Sequence, residues 1–167
     1  MCDEVLQIKI KELALQIKND FKNEEIVLIA VLKGSFIFAA DLARQIKNEV
    51  TIDFISASSY GNQTETTAKV TLLKDIDIDI SGKNVIVVED IIDSGLTLHF
   101  LKKYFSMHKP KTLKFCSLLD KPERRKVDLN VEYVGFRIPD EFIVGYGIDC
   151  VEKYRNLPYI ASAVIDK

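Results

Sequence analysis

The chain has 167 residues and a formal net charge of −2, from 23 Lys and Arg against 25 Asp and Glu. That length suits one hydrophobic core and predicts a single domain over residues 1–167. The balanced charge excludes the basic footprint of a nucleic-acid binder, and no apolar run reaches the roughly 18–20 residues that would cross a membrane.

The amino terminus, Met1-Cys2-Asp3-Glu4-Val5, has neither the basic start nor the apolar stretch of a secretory signal. Cys2, Cys116 and Cys150 are odd in number and show no CxxC spacing, which predicts free thiols and a cytoplasmic protein. Leu6, Ile10, Leu13 and Ile17 recur at helical spacing, so residues 3–20 read as an amphipathic helix. Residues 25–32 are almost wholly apolar and read as a buried strand. Lys33-Gly34-Ser35 breaks that strand, and Ser35 is placed to cap a helix over 36–46. Residues 50–57 predict a second strand. The polar run 58–67 after it is too long for a tight hairpin and suits a lid, and the β-prone residues 70–73 read as its return.

Asp75, Asp77 and Asp79 alternate with Ile76, Ile78 and Ile80. Carboxylates two apart on one extended face do not converge on a cation without partners, so an edge or bend with Asp outward and Ile inward is the preferred reading. Asn84 to Val88 then predict a strand buried on both faces of a parallel sheet. This strand delivers Glu89, Asp90 and Asp93 to its carboxyl end. The turn Ser94-Gly95-Leu96-Thr97 follows, and then a helix over 96–107. Backbone amides, two hydroxyls and a helix N-terminus there can converge on one phosphate, while the acids can hold sugar hydroxyls or a metal. Asp93 is also placed to cap the helix. The P-loop and GxGxxG patterns are missing, which disfavours a kinase or dehydrogenase.

Residues 112–119 predict a further buried strand, 120–126 a charged loop, 131–138 a strand, and 159–165 a terminal strand. Strands alternating with helices predict an α/β fold with a mainly parallel twisted sheet flanked by helices. His99 and His108 lie outside every motif and read as structural or surface residues.

The stretch from Val87 to Thr97 resembles the phosphoribosyl-pyrophosphate (PRPP) signature of the type I phosphoribosyltransferases. Four further motifs in the expected order extend the resemblance over nearly the whole chain, to the hypoxanthine-guanine members of that family. They are Leu32-Lys33-Gly34-Ser35, Ser59-Tyr60-Gly61, Leu118-Leu119-Asp120-Lys121-Pro122, and residues 142–149 with Tyr154-Arg155. The resemblance implies the family fold, with a small hood formed by the terminal segments. It implies transfer of the 5-phosphoribosyl group from PRPP to N9 of hypoxanthine or guanine, as in purine salvage.

The resemblance also implies residue roles. Glu89 and Asp90 would accept hydrogen bonds from the ribose hydroxyls, and Asp93, Ser94, Gly95, Leu96 and Thr97 would wrap the 5′-phosphate. Some relatives carry Lys where this chain has Leu96, which leaves the cradle to backbone amides. Asp93 would take the proton from purine N7. Lys33, Gly34 and Arg155 would bind pyrophosphate, and a non-proline cis peptide is implied between Leu32 and Lys33. Lys121 would donate to the purine 6-oxo group, which welcomes hypoxanthine or guanine and rejects the 6-amino group of adenine. Phe142 would stack on the base, the Ile143 backbone would meet its Watson–Crick edge, and Asp149 would lie near the base and the pyrophosphate. Ser59 and Tyr60 would belong to the lid. Mg²⁺ is implied, with Glu89, Asp90 and Asp149 as its protein side, and so is a homodimer or homotetramer. Two other readings of the same residues are a PRPP-binding regulator on this fold and a phosphoribosyltransferase that prefers xanthine.

Overall fold

The computed structural model describes residues 1–60 and 69–163. Helix α1 (Asp3–Phe21) leads into β1 (Ile26–Leu32), α2 (Phe36–Gln45) and β2 (Val50–Tyr60). Strands β3 (Lys69–Lys74) and β4 (Asn84–Ile92), helix α3 (Leu96–Met107) and β5 (Thr112–Asp120) follow. After a 3₁₀ turn over Pro122–Arg124 come β6 (Tyr133–Arg137) and the short strands β7 (Ile143–Val144) and β8 (Ala161–Ser162).

Six strands form one sheet in the order β3-β2-β1-β4-β5-β6, parallel except for the β2–β3 pair. The chain moves from β1 outward to β2 on one side and returns to β4 on the other. The order therefore reverses between β1 and β4, and in open α/β sheets a crevice opens at such a switch point, outside the carboxyl ends of the strands. Lys33-Gly34-Ser35 follows β1 and the acid-rich turn follows β4, so the topology alone brings the two motifs together.

The two central strands carry apolar side chains toward both faces, and all but the final residue of β1 is buried. On one face Leu6, Ile10, Leu13 and Ile17 of α1 and Phe38 and Leu42 of α2 pack on Leu28, Ala30, Ile86 and Val88. On the other, Leu98, Leu101 and Phe105 of α3 cover Val27, Ile29, Val85 and Val87. Phe105 is fully buried, and its truncation to Ala would cost roughly 3–5 kcal/mol.

Several details depart from the sequence reading. Strand β2 runs on to Tyr60 because Ser58, Ser59 and Tyr60 pair with Thr71, Val70 and Lys69 of β3, past a register shift at Ser56/Ala57. Backbone pairing carries these polar residues in strand form whatever their side chains prefer. Most of the run expected as a lid lies outside the described residues. Ser35 does not cap α2 through its side chain; its buried hydroxyl donates to the Val31 carbonyl at 2.7 Å. The Asp75–Ile80 stretch, by contrast, is a bend as its alternation predicts, with its aspartates exposed and its isoleucines turned inward. Its register is set by Asp53, which accepts from the amides of Asp77 at 2.7 Å and Ile78 at 3.1 Å.

The segment after β6 builds a small hood with the amino terminus. Strands β7 and β8 pair antiparallel, and the Met1 ammonium group donates to the Ile160 carbonyl at 2.7 Å. The Tyr146 hydroxyl donates to Asp41 of α2 and also meets Gln7 of α1, tying the hood to both helices. Burial, and then the Asp41 charge, hold that phenol far above its ordinary pKa, so it stays a donor. The terminal strand predicted over 159–165 is regular only at Ala161–Ser162, and its last two residues lie outside the described ones.

Candidate active site

Strand β4 ends in a buried pair of acids. Glu89 and Asp90 are 9 % and 8 % exposed, and burial raises the pKa of both. For Glu89 the neighbouring Asp90 charge raises it further. Two carboxylates removed from water side by side are poised for donors or a cation from outside the chain. Glu89 lines a cavity of about 260 Å³ together with Leu32, Asp93, Ser94, Gly95 and Thr97.

The turn that closes this cavity leads straight into α3. Gly95 occupies the helix N-cap at φ +79°, in the left-handed region, and no side chain caps the helix. Asp93 is therefore not the cap that its position suggested. The Leu96 amide meets only the Ser94 hydroxyl, at 3.4 Å, so the first-turn amides remain for an anion at the positive end of the helix. The Lys126 amide donates to the Ser94 carbonyl at 3.0 Å and fastens the turn to the loop after β5.

Opposite this turn, the Leu32–Lys33 peptide is cis. Lys33 Nζ reaches Glu152 at 3.0 Å. The same carboxylate lies 3.5 Å from Arg155 Nη2, and Arg155 also holds Asp149 at 2.8 Å and the Gly147 carbonyl at 2.8 Å. Asp149 accepts from the Glu152 amide at 2.8 Å as well, so it caps the reversal that the Cys150–Lys153 bridge closes. Val151 and Glu152, at φ 51° and 61°, form this two-residue turn, a backbone shape that Asn or Gly adopts more readily.

Lys121 directly follows β5, with its side chain largely buried. Its Nζ donates to the Glu141 carbonyl at 2.6 Å and lies 3.4 Å from Asp140. It is thus no solvated lysine of a charged loop. Phe142 is 43 % exposed while its neighbour Ile143 is buried, so the aromatic ring of this apolar run is free of the core. Asp93 receives Nε of Arg124, whose Nη1 holds Asp140 at 3.1 Å. Arg124, Asp140 and Glu152 escaped the sequence reading, which took Arg124 only as part of the charged loop 120–126 and gave the other two no role.

The β1/β4 crevice thus gathers the residues expected at a ribose, a phosphate and a pyrophosphate, with Lys121 and Phe142 beside them. Ser59 and Tyr60 lie on β2, and nothing further is described of their side chains. Among the described residues no three His, Cys, Asp or Glu side chains converge as a cage, so Glu89, Asp90 and Asp149 make no protein-only metal site.

Fold and crevice together define an open-sheet α/β protein that binds a phosphorylated sugar at its switch point. Residues 1–150 match the phosphoribosyl transferase domain family. The chain belongs to the phosphoribosyltransferase family. It is 51 % identical over 162 residues to a hypoxanthine phosphoribosyltransferase of Salmonella typhimurium, covering 96 % of this chain and 91 % of the relative. It is 45 % identical over 158 residues to a hypoxanthine-guanine phosphoribosyltransferase of Bacillus subtilis, covering 95 % and 88 %. The fold superposes with a TM-score of 0.95 on the crystal structure of a hypoxanthine-guanine phosphoribosyltransferase from Bacillus anthracis, which holds a HEPES molecule in its active site. That chain is 81 % identical, with 98 % and 96 % of the two chains covered.

Proposed function

We propose that this chain transfers the 5-phosphoribosyl group of PRPP to N9 of hypoxanthine or guanine, giving IMP or GMP and pyrophosphate in purine salvage. The observation that carries this reading is the meeting, at one crevice, of an uncapped helix N-terminus, a buried acid pair and a buried lysine.

Each part has a task that suits its chemistry. The amides of Ser94 to Thr97 take the 5′-phosphate at the start of α3. Glu89 and Asp90 accept from the ribose hydroxyls, which replace the water these carboxylates have lost. Lys33, Gly34 and Arg155 hold the leaving pyrophosphate. Lys121 donates to O6, Phe142 stacks on the ring and the Ile143 backbone meets the Watson–Crick edge, while Asp93 accepts the N7 proton as N9 attacks C1′. Asp149 orients Arg155 and stands beside the base and the pyrophosphate. Ser59 and Tyr60 begin the lid, which excludes water from a C1′ centre of oxocarbenium character.

The hard oxygens of Glu89 and Asp90, crowded and short of donors, fit Mg²⁺, with Asp149 able to hold it through water. When bound, Mg²⁺ neutralises pyrophosphate charge. One domain spans residues 1–167 in this proposal. The free thiols of Cys2, Cys116 and Cys150 suit a cytoplasmic home, and the assembly is a homodimer or homotetramer.

A spectrophotometric assay with PRPP, Mg²⁺ and each of hypoxanthine, guanine, xanthine and adenine tests the function. Turnover with the first two supports it, fastest turnover with xanthine moves the base assignment, and silence with all four favours a PRPP-binding regulator. Asp93→Asn should cut turnover by about 10²–10⁴-fold while PRPP still binds. Near-normal turnover would remove Asp93 from the proton step.

A further inference from the structure

Lys121, Asp140, Arg124 and Asp93 form an unbroken chain of charged contacts. Lys121 Nζ lies 3.4 Å from Asp140 Oδ1, and the other oxygen of that carboxylate takes Arg124 Nη1 at 3.1 Å. Arg124 Nε then meets Asp93 Oδ1 at 2.5 Å. Its partners come from separate parts of the fold: Asp93 follows β4, and Asp140 precedes β7. Arg124 itself stands in the 3₁₀ turn after β5, beside Lys121. Among the described residues it is the one side chain that hydrogen-bonds the Asp93 carboxylate. A planar guanidinium with donors at Nε and Nη1 sets the distance and tilt between two carboxylates, which a lysine cannot do.

A 6-oxopurine presents N7 and O6 side by side on one edge. Asp93 and Lys121 are assigned to those two positions, and Arg124 spans from the first to the partner of the second. We infer that Arg124 is a positioning residue for the purine. Through Nε it holds one oxygen of Asp93 and leaves the other for the N7 proton; through Asp140 it fixes Lys121 at the spacing of O6. The inference rests on the roles proposed above for Asp93 and Lys121. Its neighbour Arg125 is differently used: that guanidinium grips Asp120 at 2.9 and 3.2 Å and serves the fold.

The test is a double-mutant cycle on purified full-length protein: Arg124→Ala, Arg124→Lys, Asp93→Asn, and Arg124→Ala with Asp93→Asn, each assayed for kcat and for KM of hypoxanthine and PRPP. Arg124→Ala should lower kcat about tenfold with the PRPP KM unchanged, and Arg124→Lys should restore only part of it. In the Asp93→Asn background, Arg124→Ala should cost clearly less than about tenfold more, because only its hold on Lys121 through Asp140 is left to lose. A normal kcat in Arg124→Ala, or the same tenfold loss in both backgrounds, overturns the inference alone. Normal turnover in Asp93→Asn overturns it together with the proton-transfer role on which it stands.

Discussion

The Asp90 carboxylate stands directly against the α-carbon of Gly34. A β-carbon on that residue would lie 1.9 Å from Oδ2 and 2.5 Å from the carboxyl carbon. The loop after β1 and the acid pair of β4 are thus fitted to each other across the switch point. Gly147 closes the other side, where a β-carbon would meet the Gly34 carbonyl oxygen at 2.0 Å. Gly34→Ala should therefore displace Asp90 and the pyrophosphate loop together. We expect a loss of about 1–3 kcal/mol in urea unfolding and a PRPP KM raised at least tenfold. A variant with the parent's PRPP KM would show that the close approach has no bearing on the site.

Lys121 is the residue proposed to carry the choice of base. Its ammonium group is nearly buried and already donates to the Glu141 carbonyl at 2.6 Å, so it is aimed before any purine arrives. Lys121→Ala should lower kcat/KM for hypoxanthine roughly 10- to 100-fold, the worth of a charged hydrogen bond, and leave the PRPP KM near its parent value. Steady-state kinetics at saturating PRPP reads this out. A small and equal loss for every purine would place the lysine away from O6.

Glu152 bridges Lys33 and Arg155, the two side-chain cations assigned to pyrophosphate. Its carboxylate occupies them in the free protein, and their opposite charges hold its pKa below the ordinary glutamate value. The contacts are exposed and screened, so the effect is small. Glu152→Gln should strengthen product inhibition by pyrophosphate about two- to threefold. Weaker inhibition in the variant would mean that Glu152 orders the two cations instead of competing for them.

Asp53 holds the irregular stretch before β4 in place. Burial alone would raise its pKa, but the amides of Phe54, Asp77 and Ile78 and the nearby Lys74 outweigh it and bring the value below that of an ordinary aspartate. A native pKa below the unfolded one, about 3.9, means that this stabilisation is present above roughly pH 4–5. It is lost as the pH falls through the native value. Asp53→Asn should cost about 1–2 kcal/mol at pH 7 and flatten the stability profile between roughly pH 5 and 3. Unfolding free energies measured across that range decide the matter, and an unchanged slope would assign the pH dependence to other carboxylates.

The order of these motifs was legible because each has a local cause. An apolar run ending in Glu89-Asp90 followed by Ser94-Gly95-Leu96-Thr97 carries its meaning in consecutive residues, and the α1 pattern of Leu6, Ile10, Leu13 and Ile17 repeats at one helical period. Arg124 and Arg125 show where this stops. They are adjacent and alike in sequence, yet one reaches Asp93 and Asp140 while the other is folded onto Asp120. Phe142 and Ile143 are a second such pair, of which only the isoleucine is buried. Local propensity has no term for which of two neighbours faces a crevice.

The sequence by itself determined the alternation of strands and helices, the buried character of β1 and β4, and the presence of a phosphate turn beside paired acids. These follow from hydrophobic period and turn chemistry, which act over a few residues. Tertiary structure alone decided what stands against what. The strand order makes the switch point between β1 and β4; the fit of Asp90 on Gly34 and the meeting of Glu152 with Lys33 depend on segments more than 50 residues apart. Contacts at that range are set by how whole elements pack, and the charged residues that Val87 to Thr97 needs as partners are placed only when the sheet has closed around it.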